Sequence, residues 1–258
     1  MGALGSIGSK FLPKRAFELI RFARFPHAFV SVDFANYKQD GLISFHNADF
    51  MADERFARAY QAGESTGSWR GANIHWRAHV ACWAAYRGSR LEGDFVECGV
   101  NRGGLSRTVM EYVGFKDLQS KKFYLLDTYE GLAERYISEA EKRAGVQPGG
   151  YEECYDAVLK TFADQENAVI IRGAVPDTLA EVPSEKIAYL SIDMNCAEPE
   201  IAAAEFFWEK LVTGAVMLLD DYGGTNHIHQ KIAFDEFAKS KSVMILALPT
   251  GQGLIIKP

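Results

Sequence analysis

Long apolar runs, an excess of basic residues and paired cysteine motifs are all missing from this chain of 258 residues. No stretch is long and apolar enough to span a bilayer as a helix, which points to a soluble protein. Basic residues are outnumbered, with 28 Lys and Arg against 34 Asp and Glu and a formal charge of -6. A large nucleic-acid surface needs clustered cations, so nucleic acid is excluded as a partner and a small-molecule ligand is expected. The four cysteines, Cys82, Cys98, Cys154 and Cys196, form no C-x-x-C pair and lie in or beside apolar segments. That pattern fits buried, reduced thiols and a cytoplasmic location rather than a zinc site or a disulfide framework. The N-terminal FLPKRAFELIRFARF is basic and aromatic, but no small-residue cleavage site follows it. Phe11, Phe17 and Ile20 with Lys14, Arg15, Arg21 and Arg24 could line an amphipathic helix on a membrane surface. The preferred reading is an arm packed on the core or on a second subunit, with a homo-oligomer as the corresponding expectation.

What is present is a change of grammar near residue 90. Before it, NADFMADERFARAYQAG and NIHWRAHVACWAAYRG carry helical spacing, so residues 1–90 are expected to form a helical extension that contacts substrate or a second subunit. After it, residues 91–258 alternate strand and helix: DFVECG, KFYLLD, NAVIIRG, IAYLSID and AVMLLDD separated by helical segments. This is an α/β pattern, a doubly wound and mostly parallel sheet. The terminal VMILALPTGQGLIIKP reads as an antiparallel hairpin closing one sheet edge. Residues 128–150 are the longest irregular connection, a solvated helix and loop or a lid over the site.

Several apolar runs end in an acid. AYLSIDMN places Asp193 at one strand tip, and AVMLLDDYGG places Asp220 and Asp221 at another, 27 positions on. That interval accommodates one helix and the next parallel strand, so three carboxylates should meet at one sheet edge. Hard oxygen donors without a cysteine or histidine cluster favour Mg²⁺ over zinc. His75 and His79 have metal-compatible spacing but no third ligand nearby, and packing is the preferred reading. His227 and His229 follow the acids and are candidates for a base or a substrate contact.

The first strand leads into FVECGVNRGGLS, with Glu97 at the strand end and glycines at 99, 103 and 104 where a helix begins. Backbone can approach a ligand closely at such a turn. A dinucleotide fingerprint is broken by Asn101 at its second glycine position, and a Walker lysine is absent. The next strand ends in Asp127, within FYLLDTYEG. The combination E-x-G-x-x-x-G with this second acid resembles the class I S-adenosylmethionine-dependent methyltransferases. With SIDMN and LLDDYGG added, it is most similar to the macrocin O-methyltransferase (TylF-type) family over residues 93–258.

The resemblance implies a Rossmann-like, seven-stranded sheet and two cofactors, S-adenosylmethionine and Mg²⁺. It implies that Glu97, Gly99, Gly103, Ser106 and Asp127 line the cofactor site, Asp127 accepting the ribose hydroxyls, with Gly173 and Ala174 near the adenine. Asp193, Asp220 and Asp221 carry over as metal ligands. Asp193 and His227 are the catalytic candidates, because Asn195 and Cys196 depart from the family's D-G-D and lysine positions. The implied activity is Mg²⁺-dependent O-methylation of a sugar, glycosylated natural product or related diol. The alternatives are a Rossmann-type oxidoreductase and a non-catalytic cofactor-binding protein.

Overall fold

A computed structural model describes residues 34–258. The amphipathic stretch expected between Phe11 and Arg24 lies outside the described residues. Two compact units divide between Asp49 and Phe50. In the first, β1 (Tyr37–Gln39) and β2 (Leu42–Ser44) form an antiparallel hairpin. Asp40 and Gly41 turn it with φ of 52° and 71°, the left-handed pair that a two-residue hairpin loop requires.

The second unit is built on a seven-stranded sheet in the order β5-β4-β3-β6-β7-β9-β8. The strands are β3 (Asp94–Cys98), β4 (Phe123–Asp127), β5 (Ala168–Arg172), β6 (Ile187–Ile192), β7 (Leu211–Leu219), β8 (Leu246–Ala247) and β9 (Gly253–Ile256). The first five in that order run parallel. β9 returns antiparallel to β7 and carries β8 on its outer side, the expected hairpin. The order reverses between β3 and β6, and open α/β sheets hold ligands beyond the strand tips at such a switch point.

Seven helices accompany the sheet among the described residues: α1 (Glu54–Glu64), α2 (His75–Gly88), α3 (Gly104–Val113), α4 (Glu139–Arg143), α5 (Tyr155–Thr161), α6 (Ala197–Trp208) and α7 (Ile228–Ser240). Alternate strand residues feed two cores, since successive side chains point to opposite sheet faces. Leu126, Leu190, Ile192 and Met217 pack with Phe207, Trp208, Phe234 and Phe237 of α6 and α7. Phe95, Leu125, Tyr189 and Leu218 pack on the other face, with Ala81, Ala84 and Ala85 of α2 and Val109 and Met110 of α3.

The helices of residues 50–88 therefore belong to the same compact unit as the sheet, whereas the sequence suggested an extension reaching to residue 90. The small side chains of α2 let that helix lie directly on the sheet. α1 approaches α3 equally closely: a Cβ on Gly63 would sit 1.9 Å from the Thr108 hydroxyl. All four cysteines are free and buried. Among the described residues, no helix is long and apolar enough to cross a membrane.

Candidate active site

The glycine turn and the acids meet at one edge of the sheet. The amide of Asp193, one residue past β6, donates to Cys98 O of β3 at 2.8 Å, and the amide of Asp220, one past β7, donates to Ile192 O at 3.0 Å. Three neighbouring strand tips are thus joined by backbone. Carboxylate oxygens of Asp193, Asp220 and Asp221 all lie within 4.8 Å of one another. Oxygens sharing one Mg²⁺ at about 2.1 Å stand roughly 3 to 4 Å apart, so the three-carboxylate set fits a hard divalent cation with a small contraction.

The surrounding groups explain how three acids are held together. Arg77 Nη1 of α2 donates to Asp220 Oδ2 at 2.7 Å, and Gln252 Nε2 donates to Asp220 Oδ1 at 3.0 Å. Glu200 of α6 accepts the Met194 amide at 3.1 Å and fixes the turn after Asp193, where Asn195 adopts φ 58°. Burial raises the proton affinity of Asp193 well above the usual carboxylate range, and the charges of Asp220 and Asp221 add to it. Glu200 is raised for the same leading reason, with Asp221 next. His227 caps α7, its Nδ1 lying 3.5 Å from Asp221 Oδ2 and 2.9 Å from Gln230 Nε2. Of the two loop histidines, His227 is the one brought to the acids. Cys196, at the position of the family lysine, is buried and its thiol is pushed up to about 12, so it stays neutral and is no base at ordinary pH.

On the cofactor side, Gly99 and Gly103 have φ of 89° and 84°, which side chains other than glycine rarely adopt. A Cβ on Gly99 would lie 1.8 Å from Asp193 O, so the turn and the acid cluster touch through backbone. Glu97 is buried and accepts the Ser106 hydroxyl at 2.6 Å. Burial pushes its carboxyl up to about 8 against the lowering effect of Ser106, and the charges of Asp220 and Asp127 push the same way. Gly173 follows β5, and its amide donates to Asp127 O at 2.9 Å, which places Gly173 and Ala174 beside the Asp127 tip.

Asp127, expected to accept ribose hydroxyls, is half-buried and also serves the backbone. Its Oδ2 accepts the amides of Val100 and Asn101 at 2.6 and 2.7 Å, and its Oδ1 accepts the Tyr129 amide at 2.6 Å. In this structure Asp127 ties the glycine turn to its own strand. Tyr129 is buried with its hydroxyl on Leu125 O at 2.9 Å and is a core residue. His75 stacks on Tyr60 and His79 on Phe50, at centroid distances of 4.0 and 4.1 Å, and burial lowers both imidazole pKa values. Trp76 packs edge-on against Phe50 at 4.6 Å.

Several site residues escaped sequence reasoning. Arg77 and Gln252 looked like ordinary helix and turn residues. Ser68 Oγ accepts the Gly104 amide at 2.9 Å and so covers the start of α3. A cavity of about 250 Å³ beside the glycine turn is lined by Gly67, Ser68, Arg70, Asn101, Arg102 and Glu152. Next to it, Tyr151 lies under the Arg70 guanidinium, 5.2 Å from ring centroid to Cζ. Burial raises its phenol pKa, and the charges of Asp193 and Asp221 push the same way. The 128–150 connection is less solvated than its charge suggested: Glu141 is buried, and its Oε1 accepts the Ala197 amide at the start of α6 at 2.7 Å. Its Oε2 accepts the Ser138 amide at 2.9 Å, completing a capping box on α4.

Comparison with known proteins bears on the fold and the family. A tetracenomycin-type relative from Streptomyces olivaceus, 8-demethyl-8-(2,3-dimethoxy-alpha-L-rhamnosyl)-tetracenomycin-C 4'-O-methyltransferase, is 24% identical over 140 residues, 51% of this chain and 54% of the relative. The chain thus spans about half the length of the curated relative it matches. The solved O-methyltransferase NovP superposes with a TM-score of 0.65 at 17% identity, over 81% of this chain and 97% of that one. The calicheamicin methyltransferase CalS11 superposes at 0.55 and 16% identity, over 82% and 94%. These structures share the Rossmann-like methyltransferase fold. Residues 35–245 match the macrocin-O-methyltransferase (TylF) family, to which this chain belongs.

Proposed function

We propose that this protein is an S-adenosylmethionine-dependent O-methyltransferase that uses Mg²⁺ and methylates a hydroxyl of a sugar or glycosylated small molecule. The observation that carries the proposal is the backbone contact between the glycine turn and the acid cluster, at Gly99 and Asp193. It supports the reading because transfer between a sulfonium and an acceptor oxygen needs the turn proposed for the cofactor and the acids proposed for the ion side by side. The sugar acceptor is carried over from the Streptomyces olivaceus relative, named for methylating a rhamnosyl-bearing product.

Asp193, Asp220 and Asp221 would hold the ion, with Arg77 and Gln252 fixing the direction of Asp220. Bound there, Mg²⁺ would supply Lewis acidity that lowers the proton affinity of an acceptor hydroxyl. The cofactor would supply an electrophilic methyl group, and the turn of Gly99 and Gly103 would hold it together with Glu97, Ser106, Asp127, Gly173 and Ala174. We assign His227 as the proton acceptor and keep Asp193 as a ligand. As placed, the Gln230 amide nitrogen donates to Nδ1; turning that amide over lets Nδ1–H donate to Gln230 Oε1 and leaves Nε2 as the lone pair that would take the hydroxyl proton. Arg70 lines the cavity beside the glycine turn, with Tyr151 against its guanidinium, and both would contact the acceptor.

Calorimetry tests cofactor choice: binding of S-adenosylhomocysteine and no binding of NAD are expected, and the reverse would overturn the assignment. A panel of hydroxylated glycosides, assayed for S-adenosylhomocysteine formation in MgCl₂ and in EDTA, then tests acceptor class and metal use together.

A further inference from the structure

Arg77 brings a permanent cation into the carboxylate cluster. Its guanidinium bonds Asp220 at 2.7 Å, and the two side chains are only 25% and 9% exposed. Asp220 has its other oxygen on Gln252, so the pair is locked in direction as well as charge. Asp193, Asp221 and Glu200 crowd the same place, and Asp220 also acts on the buried Glu97. Carboxylates gathered this closely repel unless a cation or protons compensate. A guanidinium cannot give up its charge, so Arg77 compensates at every working pH.

That permanent charge has two opposite consequences. It relieves repulsion whenever no ion is bound, and it repels an ion that arrives next to Asp220. We propose that Arg77 is the built-in counter-cation of the cluster: it aims Asp220, stabilises the ion-free protein, and weakens the hold on Mg²⁺ so that the ion exchanges. The part concerning Mg²⁺ rests on the metal reading above. Arg77 is on this account a positioning residue, acting through Asp220.

The test compares wild type, Arg77→Gln and Arg77→Lys by thermal unfolding in EDTA and in saturating MgCl₂, and by calorimetric titration with MgCl₂. Glutamine keeps an amide donor without the charge, and lysine keeps the charge without the fork. In EDTA, Arg77→Gln should unfold well below wild type, because it leaves an uncompensated, mostly buried acid. In MgCl₂ it should recover most of that loss, and it should bind Mg²⁺ at least about tenfold more tightly, since even water-like screening leaves that much repulsion between a single and a double charge at close range. Arg77→Lys should follow wild type in both measurements.

A purely structural role predicts otherwise: Arg77→Gln would lose the same stability with and without Mg²⁺. That result, Mg²⁺ affinity unchanged or weaker in Arg77→Gln, or Arg77→Lys behaving like Arg77→Gln would overturn the proposal. If wild type itself takes up no Mg²⁺, the metal reading fails by that fact alone. The counter-cation role is then decided in EDTA, supported by a loss in Arg77→Gln that Arg77→Lys restores and overturned by no loss.

Discussion

Replacing Glu97 with glutamine removes a carboxyl whose proton affinity is set by its place in the sheet. Glu97 lies at the end of β3, closed off from water, with the Ser106 hydroxyl on one oxygen and the charges of Asp127 and Asp220 on neighbouring tips. Its carboxyl is pushed up to about 8 from an ordinary 4.5. Between those two values the folded chain keeps a proton that the unfolded chain releases. The stability tied to that proton is fully present below pH 4.5 and is lost as pH rises to about 8. The slope approaches about 1.4 kcal/mol per pH unit midway between the two values and flattens near each, which amounts to about 3 to 3.5 kcal/mol between pH 5 and pH 8. Glutamine has nearly the same shape and carries no titrating proton. Urea unfolding of both proteins in EDTA, without cofactor, should therefore show Glu97→Gln gaining about 3 to 3.5 kcal/mol on wild type across that range. A stability difference that is flat with pH, or that moves the other way, would refute the reasoning about Glu97.

Gly99→Ala places a Cβ 1.8 Å from Asp193 O at a φ of 89°. It should cost more than about 3 kcal/mol, well above left-handed strain alone, and abolish binding of S-adenosylhomocysteine; a change under about 1 kcal/mol would contradict the close approach. His227→Gln should lower kcat by about 10² to 10⁴ with S-adenosylhomocysteine affinity unchanged, and an unaltered kcat removes His227 as proton acceptor. Glu141→Ala strips the acceptor from the Ala197 and Ser138 amides. Loss of about 2 to 3 kcal/mol is expected, with faster proteolytic cutting between residues 138 and 150; wild-type behaviour in both would show that the tie to α6 is dispensable.

The strand tips were legible because an apolar run ending in an acid is a local pattern, and three such runs define an edge. Gly99 and Gly103 were legible because a turn into a helix needs left-handed residues there. Arg77 was not, since one arginine on an alanine-rich helix carries no local mark of the acid it meets 143 positions later. Gln252 and Glu200 were hidden for the same reason. Asp127 shows the opposite limit: its position at a strand tip was foreseen, but the bonds its oxygens accept from the amides of the neighbouring glycine turn were not. The packing of the helices before residue 90 was not legible, because helical spacing reveals an apolar face and not the partner it packs against. α2 packs on the sheet that follows it in the chain.

The central claim, that the glycine turn and the three acids form one metal-assisted transfer site, is tested most directly by titrating the wild-type protein and its Asp221→Asn and Asp193→Asn variants with MgCl₂ in a calorimeter. Wild type is predicted to bind one Mg²⁺ per chain, and each variant to lose at least about tenfold in affinity, as expected when a charged ligand is made neutral. Binding that is absent in wild type, or equal in all three proteins, would contradict the account.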